Sequence, residues 1–342
     1  MKNRIDLKNF NIRTDLIIDE KIENKAFKKE RINDNLQVTR IEVTKDLKNI
    51  LNKKEGYYTT LEFEDITNFE DRQEIEKQLV IEIEKMMKKI GIDNQAECMV
   101  VGLGNKESTA DALGPVVLEK VLVTRHLFLL NALVKDGIRC VSAISPGVMA
   151  NTGMETSDII LSLISKIKPQ FLLVIDALAS SSIERINKTI QLTNTGIHPG
   201  SGIGNNRREI SQDTIGIPVI AIGVPTVVES SILVNDTIDY LFKHLSYVKK
   251  HFDENKLIFS RNTKNYLQAI QNEDLTNQEK QEVIGILGTI DEEEKKKLIV
   301  EVLNSIGYNM IVTPKEIDFL VEKLSDTIAN AINKALHKEV TD

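Results

Sequence analysis

Two aspartates and one glycine-rich loop carry most of the chemistry this chain advertises. Asp111 lies in the polar loop Asn105-Lys106-Glu107-Ser108-Thr109-Ala110-Asp111, after the apolar run Cys98-Met99-Val100-Val101 and the turn Gly102-Leu103-Gly104. Asp176 closes a second apolar run, Phe171-Leu172-Leu173-Val174-Ile175. Open α/β sheets build their sites at the carboxyl ends of strands. If the two runs are neighbouring parallel strands, the acids converge on one crevice. Like charges at short range cannot both ionise, so two such carboxylates share a proton; one serves as a base for water and the other as an acid. An aspartate at the end of a buried strand also serves to cap the following turn. The residues alone leave both readings open for Asp176.

The loop Asn194-Thr195-Gly196-Ile197-His198-Pro199-Gly200-Ser201-Gly202-Ile203-Gly204-Asn205-Asn206-Arg207-Arg208 has the composition of a surface loop. Because it should emerge at the same sheet edge, it is alternatively a loop that covers substrate, with His198, Gly200 and Arg207 as candidate contacts. His198 is either structural or a third ligand beside Asp111 and Asp176, a donor set that suits a divalent transition metal. Arg207 and Arg208 are candidates to face an acidic substrate residue, or are simply solvated.

Other chemistries fit poorly. The glycines after the first run lack the third glycine of a dinucleotide fingerprint, since position 107 is Glu and would repel a pyrophosphate. Ser180-Ser181-Ser182 has no nucleophile elbow around it. Cys98 and Cys140 form neither a zinc spacing nor a disulfide framework, so they read as buried thiols in a reducing cytoplasm.

The elements that must position the aspartates are strands at 98–103, 139–144, 171–176, 188–192 and 217–224, with helical stretches at 115–130 and 156–167 between them. Continuous apolar runs such as Ile217-Pro218-Val219-Ile220-Ala221-Ile222 mark strands covered on both faces. The expected fold is therefore α/β, a mostly parallel sheet flanked by helices. Alternation over Leu36–Val43 and the run Tyr57–Phe63 predict N-terminal strand additions, and a helix at 70–90 should stop at Gly91. The C-terminal part reads as helical. Thr313-Pro314-Lys315-Glu316 is a helix start, and Asp291-Glu292-Glu293-Glu294-Lys295-Lys296-Lys297 is a solvated helical face. Residues 1–30 read as an arm in which Asp15-Leu16-Ile17-Ile18 is a short edge strand.

At 342 residues, with 41% hydrophobic and 28% charged residues, the chain has room for one large domain with additions or for two domains. A net charge of −7 argues against a direct nucleic-acid partner, which needs a basic face. No run approaches the ~18 apolar residues of a membrane span, and the N-terminus lacks the apolar segment of a secretory signal.

Six motifs together resemble the germination proteases of spore-forming Firmicutes. They are Gly102-Leu103-Gly104-Asn105 with Asp111-Ala112-Leu113-Gly114-Pro115, Thr124-Arg125-His126-Leu127-Phe128, Ser145-Pro146-Gly147-Val148-Met149, Val174-Ile175-Asp176-Ala177-Leu178-Ala179, Thr195-Gly196-Ile197-His198-Pro199-Gly200-Ser201-Gly202, and Ile220-Ala221-Ile222-Gly223-Val224-Pro225-Thr226-Val227-Val228. The resemblance implies an atypical aspartic-type endopeptidase that degrades small acid-soluble spore proteins during germination, with Asp111 and Asp176 as its catalytic pair and no cofactor. It implies a zymogen that cuts itself between Asp15 and Leu16, so that 1–15 is a propeptide. Residues 16–342 are then a single peptidase domain with a core at 96–250 and a helical extension at 275–340. A homotetramer in the cytoplasm of the forespore and spore core is implied as well. The fold should be related to that of the hydrogenase maturation peptidases, whose nickel-binding carboxylates and histidine keep the alternative metal set Asp111, Asp176 and His198 in view. Lys106-Glu107-Ser108-Thr109-Ala110 departs from the family pattern, where aromatic residues and proline are more usual.

Overall fold

In the computed structural model, which describes residues 15–19, 26–200, 207–251, 269–308 and 310–338, consecutive side chains of the two central apolar runs go to opposite faces of one sheet. Cys98, Val100, Phe171, Leu173 and Ile175 join one core. Met99, Val101, Leu172 and Val174 join the other. Residues 1–14, which hold most of the expected propeptide, and 201–206, the middle of the glycine loop, lie outside the described residues.

The described elements run in chain order β1 (Lys28–Arg31), β2 (Leu36–Val43), α1 (Lys45–Leu51), β3 (Gly56–Phe63), α2 (Phe69–Lys89), β4 (Cys98–Gly102), α3 (Leu113–Leu118), α4 (Arg125–Leu129), β5 (Val141–Ile144), α5 (Met149–Thr152), α6 (Thr156–Ile167), β6 (Phe171–Ser180), β7 (Thr189–Thr193), α7 (Gln212–Ile215), β8 (Val219–Glu229), α8 (Ser230–His251), α9 (Asn277–Ile284), α10 (Glu292–Ser305), β9 (Ile311–Val312) and α11 (Ile317–Leu336). They divide into two compact units, one drawn from Arg13–Val227 and Thr313–Asp342, the other including Val228–Val312.

In the first unit the strand order is β1-β2-β3-β7-β8-β6-β4-β5. β4 is parallel to both its neighbours, with Val101 opposite Ile144 on β5 and Val174 on β6. β1, β2, β3 and β7 extend the sheet through antiparallel pairs. One face is covered by Ile75, Leu79 and Ile83 of α2, Leu113 and Val117 of α3, and Leu324, Ile328 and Ile332 of α11. The other is covered by Ile160 of α6 and Ile215 of α7. The α/β class, the flanking helices and the added N-terminal strands are therefore as expected. α2 begins where the Asn68 side chain accepts the Glu70 and Asp71 amides, and Gly91 follows its end with φ +72°.

Several local expectations give way. The helix expected at 115–130 is two short ones, α3 and α4. Between them the chain is captured from outside: Asn333 of α11 accepts the Leu122 amide at 2.8 Å and donates to the Lys120 carbonyl at 3.0 Å. The Thr124 hydroxyl donates to the Arg139 carbonyl and accepts the Val141 amide. These long-range partners outcompete the helical ones. Thr313 caps nothing; its hydroxyl donates to the Thr226 carbonyl at 2.9 Å, and the helix starts at Ile317.

In the second unit, Val228 and Glu229 pair antiparallel with Val312 and Ile311. Asp291 caps α10 by accepting the Glu293 and Glu294 amides. The charged run is not wholly a solvated face. Lys295 is buried, its ammonium 2.6 Å from Asp239 and 2.8 Å from Glu292, because α10 turns that side chain toward α8.

Candidate active site

The turn after β4 is built on bare backbone. A Cβ on Gly114 would collide with the Leu103 carbonyl, and one on Gly102 would collide with Gly114 in return, so α3 starts in direct contact with the strand end. Gly104 has φ +110°, and a Cβ there would strike the Asp111 carbonyl and lie 3.0 Å from Asp111 Oδ1. The loop can therefore fold back on itself. The Asn105 amide donates to the Asp111 carbonyl at 3.0 Å, and the Asp111 amide to the Ser108 carbonyl at 2.8 Å. Thr226 anchors the loop by donating to the Ala110 carbonyl at 2.6 Å. Asp111, in the 3-10 turn Thr109–Asp111, is thereby held half-buried above the carboxyl end of β4.

Asp176 is not the last residue of its strand, as the apolar run suggested. β6 continues to Ser180, past the point where β4 ends opposite Ile175. The Leu103 amide donates to the Ile175 carbonyl at 2.8 Å, which ties the turn bearing Asp111 to the residue before Asp176. Asp176 itself is 5% exposed and accepts its neighbour Ala177's amide at 2.9 Å. Burial pushes its carboxyl well above the ordinary aspartate value, and the charges of Asp111 and then Asp15 push the same way. Asp111 is pushed up to about 6, chiefly by burial, with the Asn105 amide and the Arg207 charge pulling it back. The two acids therefore come together as expected, in a crevice that favours a retained proton.

A third carboxylate arrives on the N-terminal segment. Asp15 donates its amide to the Ala179 carbonyl at 3.3 Å, while its carboxylate accepts the Ala179 amide at 3.0 Å. Leu16 and Ile17 are fully buried, Ile17 among Ile41, Val43, Leu51 and Tyr58. The Gln191 side chain donates to the Asp15 carbonyl at 3.1 Å and accepts the Ile17 amide at 2.7 Å. Asp19 accepts the Ser181 amide at 2.8 Å and is ion-paired with Arg185. Residues Ile17–Asp19 form a 3-10 turn rather than an edge strand. The segment is strapped along the part of β6 that runs past the end of β4.

Of the loop candidates, Arg207 lies close enough to Asp111 for its charge to be felt there. His198 does not join the aspartates; its Nε2 is 3.8 Å from Glu209 Oε2, and Glu209 is also paired with Lys54. Arg208 lies 3.5 Å from Asp158. Gly200 takes a left-handed turn, φ +70°, just before the undescribed part of the loop. Among the described residues no three His, Cys, Asp or Glu side chains converge as a metal site, so the set Asp111, Asp176 and His198 does not fit one. Gln191 and Arg185 were not foreseen. A signal for Gln191 existed: a long amide inside Thr189-Ile190-Gln191-Leu192-Thr193, every residue of which is buried, must find partners.

Comparison with known proteins identifies the family. The family model described as germination protease matches residues 10–342. The germination proteases of Bacillus cytotoxicus and Bacillus mycoides are each 43% identical over 99% of this chain and 97% of their own length. A solved NiFe hydrogenase maturation protease, HycI from Thermococcus kodakarensis KOD1, aligns over 42% of this chain and 80% of its own at 15% identity and a TM-score of 0.27, too slight a likeness to bear on the fold. The α/β chain with this carboxylate-bearing strand end is thus a peptidase with a role in spore germination. It belongs to the germination protease family.

Proposed function

We propose that the chain is an endopeptidase zymogen of the aspartic type that cuts its own Asp15–Leu16 bond and then hydrolyses small acid-soluble spore proteins after acidic residues. The observation that carries this reading is the position of the strap. Asp15 is hydrogen-bonded through its amide and its carboxylate to Ala179, on the part of β6 that runs past β4; the Gln191 side chain donates to its carbonyl, and its charge acts on Asp176. An acidic residue followed by a buried apolar one is held there, at a bend that leads into the Ile17–Asp19 turn. The Ala179 amide reads the acid, and the enclosed Leu16 fills the apolar subsite.

Roles follow from the two environments. Asp176, more deeply buried and facing two negative neighbours, keeps its proton. Asp111 therefore faces a neutral partner and ionises first, near 6. Ionised Asp111 takes a proton from water as the water oxygen attacks the Asp15 carbonyl carbon. Protonated Asp176 then gives its proton to the Leu16 nitrogen as the C–N bond breaks. The Ala179 amide offsets the charge of the acidic residue before the cut, while the Arg207 charge favours the ionised form of Asp111. The uncut strap occupies the crevice that a spore protein would need. Homotetramer assembly and residence in the spore core belong to the same proposal and follow the family resemblance. No helix among the described residues is long and apolar enough to cross a membrane.

The test is incubation of the protein with a small acid-soluble spore protein, beside the Asp111→Asn and Asp176→Asn variants and a chelator control. The expected result is cleavage after acidic residues, insensitive to chelator and reduced ~10²–10⁴-fold or more in each variant. Normal cleavage by both variants overturns the site, and loss of activity to chelator favours the metal-dependent alternative.

A further inference from the structure

Gln191 sits at the middle of β7, 5% exposed, in a strand whose Leu192 and Thr193 pair with Ile222 and Ala221 of β8. Its carboxamide makes two bonds, both to backbone of the strap: Nε2 to the Asp15 carbonyl oxygen at 3.1 Å, and Oε1 from the Ile17 amide at 2.7 Å. The bonds need opposite ends of the amide, so they fix which end is oxygen. Together they bracket Leu16 as a residue of a parallel neighbouring strand would. We infer that this carboxamide is a catalytic group of peptide hydrolysis, holding the scissile carbonyl oxygen and stabilising the charge that develops on it. The inference rests on Asp15–Leu16 being the bond that is cut.

The chemistry suits a neutral donor. As water attacks the carbonyl carbon, the C=O π electrons move onto the oxygen, and the N–H···O bond from Gln191 strengthens without a proton changing hands. The proton lost by water goes to Asp111, and the one gained by the Leu16 nitrogen comes from Asp176, so Gln191 begins and ends as the amide. A lysine or arginine here would also polarise the carbonyl, but its charge would draw the proton off Asp176. A glutamate, when ionised, could only accept, and would add a further negative charge to the crevice. The second bond, to Ile17, holds the chain on the leaving side of the cut and keeps the carbonyl aimed. Since neither bond involves a substrate side chain, the same clamp serves any peptide that follows the path of the strap.

The test uses the full-length chain and follows self-processing by mass and N-terminal sequencing, with Gln191→Met and Gln191→Glu variants. The wild-type chain should yield a new N-terminus at Leu16, and Gln191→Met should be slower by ~10²–10³-fold, the usual effect of deleting one such donor. Folding is checked by melting in an Asp176→Asn background, where no chain is cut. Gln191→Glu gives an independent reading, because a protonated carboxyl can donate to Asp15 and accept from Ile17 as the amide does. Its rate relative to wild type should recover as the pH falls and the introduced carboxyl takes up its proton, which loss of a merely structural residue would not produce. A wild-type rate for Gln191→Met, or no acid recovery for Gln191→Glu, overturns the inference while leaving the bond assignment intact. A wild-type N-terminus other than Leu16 overturns the bond assignment, and the clamp with it.

Discussion

Three carboxylates, from Asp15, Asp111 and Asp176, act on one crevice, and their unequal burial is what separates their roles. Asp111 must be ionised and Asp176 protonated for the reaction as drawn. Single-turnover self-processing should therefore rise as the pH passes about 6, where Asp111 loses its proton, and fall again where Asp176 titrates. The Asp15 charge holds Asp176 up. An Asp15→Asn variant removes that charge, lowers the Asp176 value and should move the descending limb of the pH–rate profile to lower pH. An unmoved or raised limb would show that Asp15 does not act on the acid. At this scale the sequence revealed the aspartates, because carboxylates beside apolar runs stand out. It concealed Gln191, whose meaning depends on a backbone partner from a segment 174 residues away.

At the scale of elements, the site depends on one strand ending early and its neighbour running on. β4 stops at Gly102 and turns back through Gly104 to present Asp111, while β6 continues to Ser180 and offers the strap its Ala179 amide, with the Ser181 amide just beyond the strand end. The glycine turn and its backbone contact with α3 hold this geometry. Gly114→Ala places a methyl against the Leu103 carbonyl and should cost about 3 kcal/mol of stability, read as a lowered urea midpoint, together with slower self-processing. The strands and long helices were legible because their apolar periods are decided locally. The limits of β6 were not, since Ala177-Leu178-Ala179-Ser180 reads as the beginning of a loop until the strap is laid beside it. The split between α3 and α4 was hidden for a similar reason: Asn333, the residue that captures it, lies on α11 at the far end of the chain.

For the molecule as a whole, a crevice that raises carboxyl pKa values is a cost to folding above the acid range. The folded state holds the Asp111 proton to about 6, whereas an unfolded aspartate releases it near 3.9. The Asp111 contribution to stability should thus be full below about 4, fall as the pH rises through that window, and level off above about 6, while Asp176, held higher, continues the loss beyond it. Asp111→Asn removes the penalty. Added to an uncut Asp176→Asn chain, it should raise stability at pH 7 relative to pH 4 by on the order of 2 kcal/mol in urea titrations. No change with pH would mean that Asp111 is not held in a desolvated site. Cys98 and Cys140 are both buried, and burial pushes both thiols up, so neither should be alkylated until the chain unfolds. Labelling in native buffer would contradict their placement.

In the proposed reaction the two aspartates cut the strap at one bond, Asp15–Leu16. N-terminal sequencing of the self-processed chain, run beside Asp176→Asn, tests it most directly. The wild-type chain should show a single new N-terminus at Leu16, and the variant should remain uncut. A start at any other residue, or processing by the Asp176→Asn chain at the wild-type rate, would contradict it.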